Sequence, residues 1–256
     1  MPFLALSRSA ASVAALCLTS SFVAMAQPAA AQGDPAPVTV ELRKGEVLQV
    51  IAPEAREGGL EARRDYYRDV IPIAENYGFR RLGQLDVEQK VVGEFDPGAF
   101  IFFSWPSAAN AQAFLDRPDL PEIRARRSDG WSELKIFDDL VEEDTTLILD
   151  PNKDYSIVVA WFDPANPGDY RRYLEGIEPA VEREGGRFIY KMRNPTLETN
   201  ANAEVAPGQI TFVEWADREG FARVQKTPEY LAHRSYFASG TTRFEFYWLG
   251  VTGRDR

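Results

Sequence analysis

Residues Gln209–Leu249 read QITFVEWADREGFARVQKTPEYLAHRSYFASGTTRFEFYWL, and residues Gly98–Leu140 read GAFIFFSWPSAANAQAFLDRPDLPEIRARRSDGWSELKIFDDL. Each stretch is an apolar strand ending in Trp, then a helix, then a Pro-initiated helical turn carrying Arg, then a second strand. Trp105 and Trp215, Pro118 and Pro228, and Arg124 and Arg234 all share one offset in numbering, 110. Upstream, Tyr66 and Tyr173, and Pro72 and Pro179, share an offset of 107, and loop length absorbs the difference of three. Self-similarity at a fixed spacing is the mark of repeated units. The period is too long for a solenoid, and the element order of each copy, βαββαβ, is ferredoxin-like.

Working outward, residues 46–51 and 155–162 read as the opening strands of the two copies. Residues 61–77 and 168–184 read as their first helices, with Tyr66, Val70, Ile73 and Tyr77, and Tyr173, Ile177 and Val181, at helical spacing. Pro72 is expected to kink its helix or end it early. Gly78 and the pair Gly185-Gly186 stand where helices end. Residues 79–85 and 89–95 read as two strand pieces, 187–192 as one strand and 193–207 as a long polar loop. The boundaries that follow are a first unit over 45–140, a linker over 141–153 and a second unit over 154–251. A polar, Pro-containing leader over 32–44 is expected to be disordered.

Residues 1–31 stand apart from this pattern. Arg8 is their only charge, residues 10–26 are apolar and small, and Ala24-Met25-Ala26 and Ala29-Ala30-Ala31 are A-x-A-like cleavage sites. That is the pattern of a secretory signal peptide, which implies a periplasmic or secreted protein. A lipoprotein reading through Cys17 fits less well, because Leu16 precedes the Cys and the apolar run continues beyond it. Cleavage would remove the only cysteine, leaving no disulfide in an oxidising compartment. It would also take the net charge from −10 to −11, since the segment holds one basic and no acidic residue. An acidic chain without a basic cluster is a poor partner for nucleic acid or anionic lipid. No later apolar run reaches the length of a membrane span, so a soluble mature protein is expected.

The second copy resembles the dimeric α+β barrel superfamily, in particular its small bacterial proteins of unknown function. The resemblance rests on a Tyr-rich helix ending in Gly-Gly (DYRRYLEGIEPAVEREGGRF), the strand ending at Trp215 and the helix TPEYLAHRSYF, and covers nearly all of 154–251. The first copy departs from it: Leu120 stands for Tyr230, Gly78-Phe79 for Gly185-Gly186 and Ile123 for His233. The resemblance implies two α+β units packed sheet to sheet with helices outside, here supplied by one chain as a pseudo-dimer. Physical reasoning agrees, because an antiparallel sheet with helices on one face needs cover on the other.

Five side chains, Tyr173, Trp215, Tyr230, Arg234 and Phe237, are candidates to line a ligand pocket between helices and sheet. The competing reading is plain core packing, since aromatics supply much of any core. Arg234, like Arg124, could hold a ligand carboxylate or pin its helix through an internal Glu. His233 is the only histidine, so a multi-histidine metal site within one chain is excluded and no metal site is expected. As a catalytic residue it would be a general base tuned by Glu229; as a surface residue it would pair with Glu229 at i,i+4. The acidic run Asp138, Asp139, Glu142, Glu143 and Asp144 lacks calcium-loop spacing and reads as a solvated linker. No phosphate loop, nucleophile elbow or dinucleotide fingerprint is present.

The leading functional expectation is a small apolar or aromatic ligand bound by the second unit, with no cofactor and with the chain a monomer or homodimer. The superfamily resemblance adds two alternatives. One is a cofactor-independent monooxygenase- or isomerase-like enzyme using His233. The other is haem binding with His233 as sole axial ligand. The shared Trp, Pro and Arg residues belong to the unit's construction, whereas Tyr230 and His233 occur only in the second copy, so any chemistry should lie there.

Overall fold

The computed structural model describes residues 36–200 and 204–251. The cleavage sites and Cys17 lie outside the described residues. After β1 (Val38–Leu42), the first unit runs β2 (Val47–Ala55), α1 (Leu60–Glu75), β3 (Arg80–Val92) and β4 (Ala99–Trp105). Helices α2 (Ala108–Leu115), α3 (Leu120–Ala125) and α4 (Arg127–Gly130) lead into β5 (Trp131–Leu140). Strand β6 (Thr145–Leu149) precedes the second unit, which begins β7 (Asp154–Phe162), α5 (Asp169–Arg183), β8 (Gly186–Arg193) and β9 (Thr196–Thr199). It ends β10 (Gln209–Trp215), α6 (Gly220–Val224), α7 (Pro228–Gly240) and β11 (Thr241–Val251).

The sheet order is β8-β10-β7-β11-β3-β4-β2-β5-β9, antiparallel throughout. Each unit contributes the ferredoxin-like order of its own four strands, β5-β2-β4-β3 and β11-β7-β10-β8. The two terminal strands of that order, β8 and β9, are one chain segment bent at Asn194, whose φ is +50°. The sheet therefore closes on itself as an α+β barrel. A closed barrel has no free edge to recruit another chain.

Closure works the same way on both sides. Strand β3 pairs with β4 in its first half and with β11 in its second, while β8 pairs with β10 and its continuation β9 pairs with β5. Trp248 faces Gln89 and Asp138 faces Thr196. Tyr247 faces Lys90 and Phe137 faces Leu197. The same two offsets that relate the sequence copies relate these pairs. Leu82 in β3 and Ile189 in β8, which share the smaller offset, are the extra residues at β-bulges in matching places.

Strands β4, β7 and β10 are buried on both faces, which is why they read as near-continuous apolar runs. Inside the barrel lie Leu48, Val50, Phe102, Ile157 and Phe212 among others, with Phe102 and Phe212 meeting at 5.4 Å. Outside, α1 lays Tyr66, Val70 and Ala74 on one half and α5 lays Tyr170, Tyr173, Ile177 and Val181 on the other. Helix α1 runs through Pro72 and stops at Glu75, two residues short of Tyr77. Pro72 is on the exposed side, where water can take the hydrogen bond its ring denies to the helix.

Several expectations need correction, among them the long polar loop over 193–207, which contains β9. The leader expected to be disordered over 32–44 contains β1, which pairs with β6 inside the stretch taken as a linker. Alternation explains it: Val40, Leu42, Leu147 and Leu149 point into the barrel cluster while Thr39, Glu41, Thr146 and Ile148 face out. The two strand pieces over 79–95 are the single strand β3. Of the acidic run, Asp138 and Asp139 belong to β5 and are half-buried. Asp138 accepts a hydrogen bond from Gln49 at 2.7 Å and Asp139 one from Tyr190 at 3.0 Å. Burial pushes both carboxyls up to about 6.

Candidate functional site

Between the helices and sheet of the second unit lies a cavity of about 540 Å³. Its floor is Ser156, Val158, Thr211, Val213, Trp215 and Trp248; its walls are Tyr170, Tyr173 and Leu174 of α5, Phe221 of α6, and Tyr230 and Phe237 of α7. The rings form a continuous wall. Tyr173 lies 5.0 Å from Phe237 and 6.3 Å from Tyr230, and Phe221 lies 5.5 Å from Phe246. Such a mostly apolar hollow with a few polar atoms suits a small organic molecule.

The corresponding space in the first unit measures about 60 Å³. The difference has identifiable causes. Phe79 stacks on Phe103 at 4.6 Å and lies 4.5 Å from Trp105, and Phe114 lies 5.1 Å from Trp105. The matching positions in the second unit are Gly186 and Val224. A Cβ at Gly186 would fall 2.6 Å from the Trp215 ring, so the indole occupies the room that Phe79 takes in the first unit. Trp215 is held there by its Nε1, which donates to Ser156 Oγ at 2.9 Å. Arg127 fills the remainder of the first unit's space. Its Nε donates to the Tyr66 hydroxyl at 2.7 Å, and its guanidinium pairs with Glu198 of β9.

Polar groups in the cavity are sparse. Tyr170 shares a hydrogen bond with Thr211 at 3.4 Å, and burial pushes its hydroxyl up to about 12. Tyr173 is 6% exposed, and its hydroxyl has no hydrogen-bond partner among the described residues. Burial raises the pKa of that hydroxyl well above the usual phenol range, with Tyr230 and Tyr170 adding to the shift. The phenol is thus a neutral donor and acceptor at ordinary pH.

The first unit completes the cavity. Gln89, Val91 and Val92, at the far end of β3, line it. Arg218 donates to Gln89 at 2.8 Å and to Glu88 at 2.9 Å, and its guanidinium lies 5.3 Å from the Trp248 ring centroid. Strand β3 of the first unit and the turn before α6 of the second thereby meet at the cavity's border.

Of the residues singled out from sequence, the structure brings Tyr173, Trp215, Tyr230 and Phe237 together and leaves His233 and Arg234 outside. Arg234 is exposed on α7, whereas Arg124 pairs with Glu198 at 2.7 Å. The His233 ring covers Gly176 of α5, where any Cβ would overlap it. Its Nδ1 is 2.8 Å from the Glu229 carbonyl, and the Glu229 carboxylate is bound instead by Arg183 at 2.9 and 3.0 Å. His233 therefore wedges two helices together. Its ring does not line the cavity described above. Among the described residues no group of three or more His, Cys, Asp or Glu is arranged to hold a metal ion. No helix among them is long and apolar enough to cross a membrane.

Sequence reasoning missed Gln89, Val91, Val92, Arg218 and Phe221. A signal existed for the first three. Strand β3 has 13 residues against seven in β4, so its surplus must pair with something else.

No family model matches the chain, and no curated protein matches it. Among solved structures, an anthrone oxidase-like protein is similar at 11% identity over 83% of this chain and 94% of that one, with a TM-score of 0.49. A mutant chlorite dismutase from Candidatus Nitrospira defluvii is similar at 10% identity over 82% and 93%, with a TM-score of 0.44. A protein of unknown function from Rhodopseudomonas palustris matches at 19% identity over 43% of this chain and 84% of its own, with a TM-score of 0.29. At such identities what these proteins do is not transferred, and function is read from the cavity.

Proposed function

We propose that the protein binds one small, largely apolar ring compound in the cavity of its second unit. The observation that carries this reading is the contrast between about 540 Å³ in the second unit and about 60 Å³ in the first, within one architecture. A hollow of that size, walled by Tyr173, Phe221, Tyr230 and Phe237, is costly to leave unfilled unless it serves a ligand. Naphthalene is a suitable probe, since Trp215 and Trp248 in the floor report its arrival through their fluorescence. Saturable binding at one site per chain is expected. Val158→Phe, which adds a ring to the floor, should weaken it by about tenfold or more, equivalent to about 1.4 kcal/mol. Equal affinity in both proteins, with the variant folded, would remove the ligand from the cavity.

We further infer that the two units arose by tandem duplication. Support comes from the equal spacing of Trp105 and Trp215, from matching bulges at Leu82 and Ile189, and from cross-unit registers related by the same offsets.

The reading of residues 1–31 as a signal supports export. Intact mass of the exported protein should show a chain beginning at Gln27 or Gln32. A chain beginning at Met1 and retained in the cell would overturn that placement.

A further inference from the structure

The first unit explains what the second lacks. Tyr66 and Tyr173 occupy matching places on α1 and α5, Arg127 matches Phe237, and Glu198 on β9 matches Val91 on β3. In the first unit the Tyr66 hydroxyl receives Arg127 Nε at 2.7 Å, Arg127 pairs with Glu198, and Arg124 joins Glu198 at 2.7 Å. Arg127 is 8% exposed, so this is a buried plug of charge-assisted hydrogen bonds. In the second unit Phe237 and Val91 offer neither donor nor acceptor. The Tyr173 hydroxyl, on a side chain more than nine-tenths buried, is left at the cavity wall with no hydrogen-bond partner among the described residues. That hydroxyl opens on the cavity rather than being sealed in the core, so whatever fills the cavity is what bonds it.

We propose that the Arg127 guanidinium marks the place where a ligand's polar group sits in the second unit. The ligand is then an uncharged ring compound with one hydroxyl or carbonyl bonded to Tyr173. This inference rests on the cavity binding a ligand at all. Neutrality follows from the same comparison. The carboxylate that balances a cation in the first unit, Glu198, is Val91 in the second, and the cation that would balance an anion, Arg127, is Phe237. The remaining charges beside the cavity are Arg218, engaged by Glu88 and Gln89, and Glu219. Position 91 belongs to the first unit, so the first unit selects what the second unit binds.

Four probes sharing one ring system test this: naphthalene, 2-naphthol, 2-naphthoate and 2-naphthylmethylammonium. The wild-type protein should bind 2-naphthol more tightly than naphthalene, and both charged probes at least tenfold more weakly than 2-naphthol. Tyr173→Phe removes one oxygen and leaves the ring, so the fold is kept. It should weaken 2-naphthol about fivefold, a typical loss for one neutral hydrogen bond, and leave naphthalene unchanged. If Tyr173→Phe moves both probes equally or neither, or if a charged probe binds as well as 2-naphthol, the inference fails while the cavity reading stands. If no probe binds the wild type, the cavity reading itself fails. The converse variant, Val91→Glu with Phe237→Arg, rebuilds the plug and should abolish binding of naphthalene and 2-naphthol in a protein that circular dichroism shows to be folded. Retained binding in that folded variant would also overturn the inference.

Discussion

Lys135→Ala is expected to lower stability by about 3 kcal/mol, the lower end of what removing one partner from a buried ion pair costs. Lys135 is 2% exposed at one end of the barrel. Its Nζ lies 2.8 Å from Glu204, 3.5 Å from Glu133 and 3.9 Å from Glu245, and 4.4 Å from the centroid of the Phe95 ring. Arg243 binds Glu204 and Glu245 from the other side at 2.5 Å, and Tyr247 donates to Glu245 at 3.0 Å. Two cations thus serve three carboxylates, and losing one cation leaves Glu245, itself 2% exposed, under-compensated. Arg243 remains, which is why the lower end of the range applies. Lys135→Met, which keeps the apolar stem, should recover less than half of the loss. A Lys135→Met protein as stable as wild type in urea unfolding would show that packing, not charge, is what Lys135 contributes. Lys135 and Glu245 also share the offset of the two tryptophans, at matching places on β5 and β11. One position carries opposite charges in the two units, and the pair attracts where identical residues would repel.

Phe212→Ala should cost about 3–5 kcal/mol, the usual loss for a fully buried aromatic. Phe212 is 1% exposed inside the barrel, and its ring meets Phe102 at 5.4 Å from the other unit. For a chain of this size the corresponding fall in Tm is roughly 10 °C. Phe102→Ala should behave similarly, and the double variant should lose less than the two single losses added, since contacting residues couple by about 0.5–3 kcal/mol. Strict additivity in thermal melts would mean that the two rings do not support one another, and that the units meet through other contacts.

The strands and the matched spacings were legible because β4, β7 and β10 are buried on both faces and the apolar runs that result, such as Phe100–Phe103, resist other readings. The ribbon of β1 and β6 was hidden by its surroundings. Pro35 and Pro37 precede β1, acidic residues precede β6, and five alternating residues weigh little beside them. The cavity was half legible. Tyr173, Trp215, Tyr230 and Phe237 lie on elements whose buried faces periodicity reveals. Val91 and Arg218 come together only because β3 outruns its own sheet, which is a tertiary event. His233 sat correctly at the edge of a buried stripe, yet periodicity does not say whether that edge meets the sheet or another helix. Gly176, whose missing side chain admits the ring, decides it.

Strand β11 completes the first unit's border as well as the second's, through pairs such as Leu249 with Val87. Most of the chain lies between those partners. Until its final strand has been synthesised, the stretch from Leu85 to Val92 has no neighbour on that side, and the first unit cannot finish by itself. Partners this remote make closure slow, and they prevent the usual completion of an N-terminal half while the C-terminal half is still being made. The first unit's border strand therefore waits, unpaired on one side, for a partner made much later in the chain.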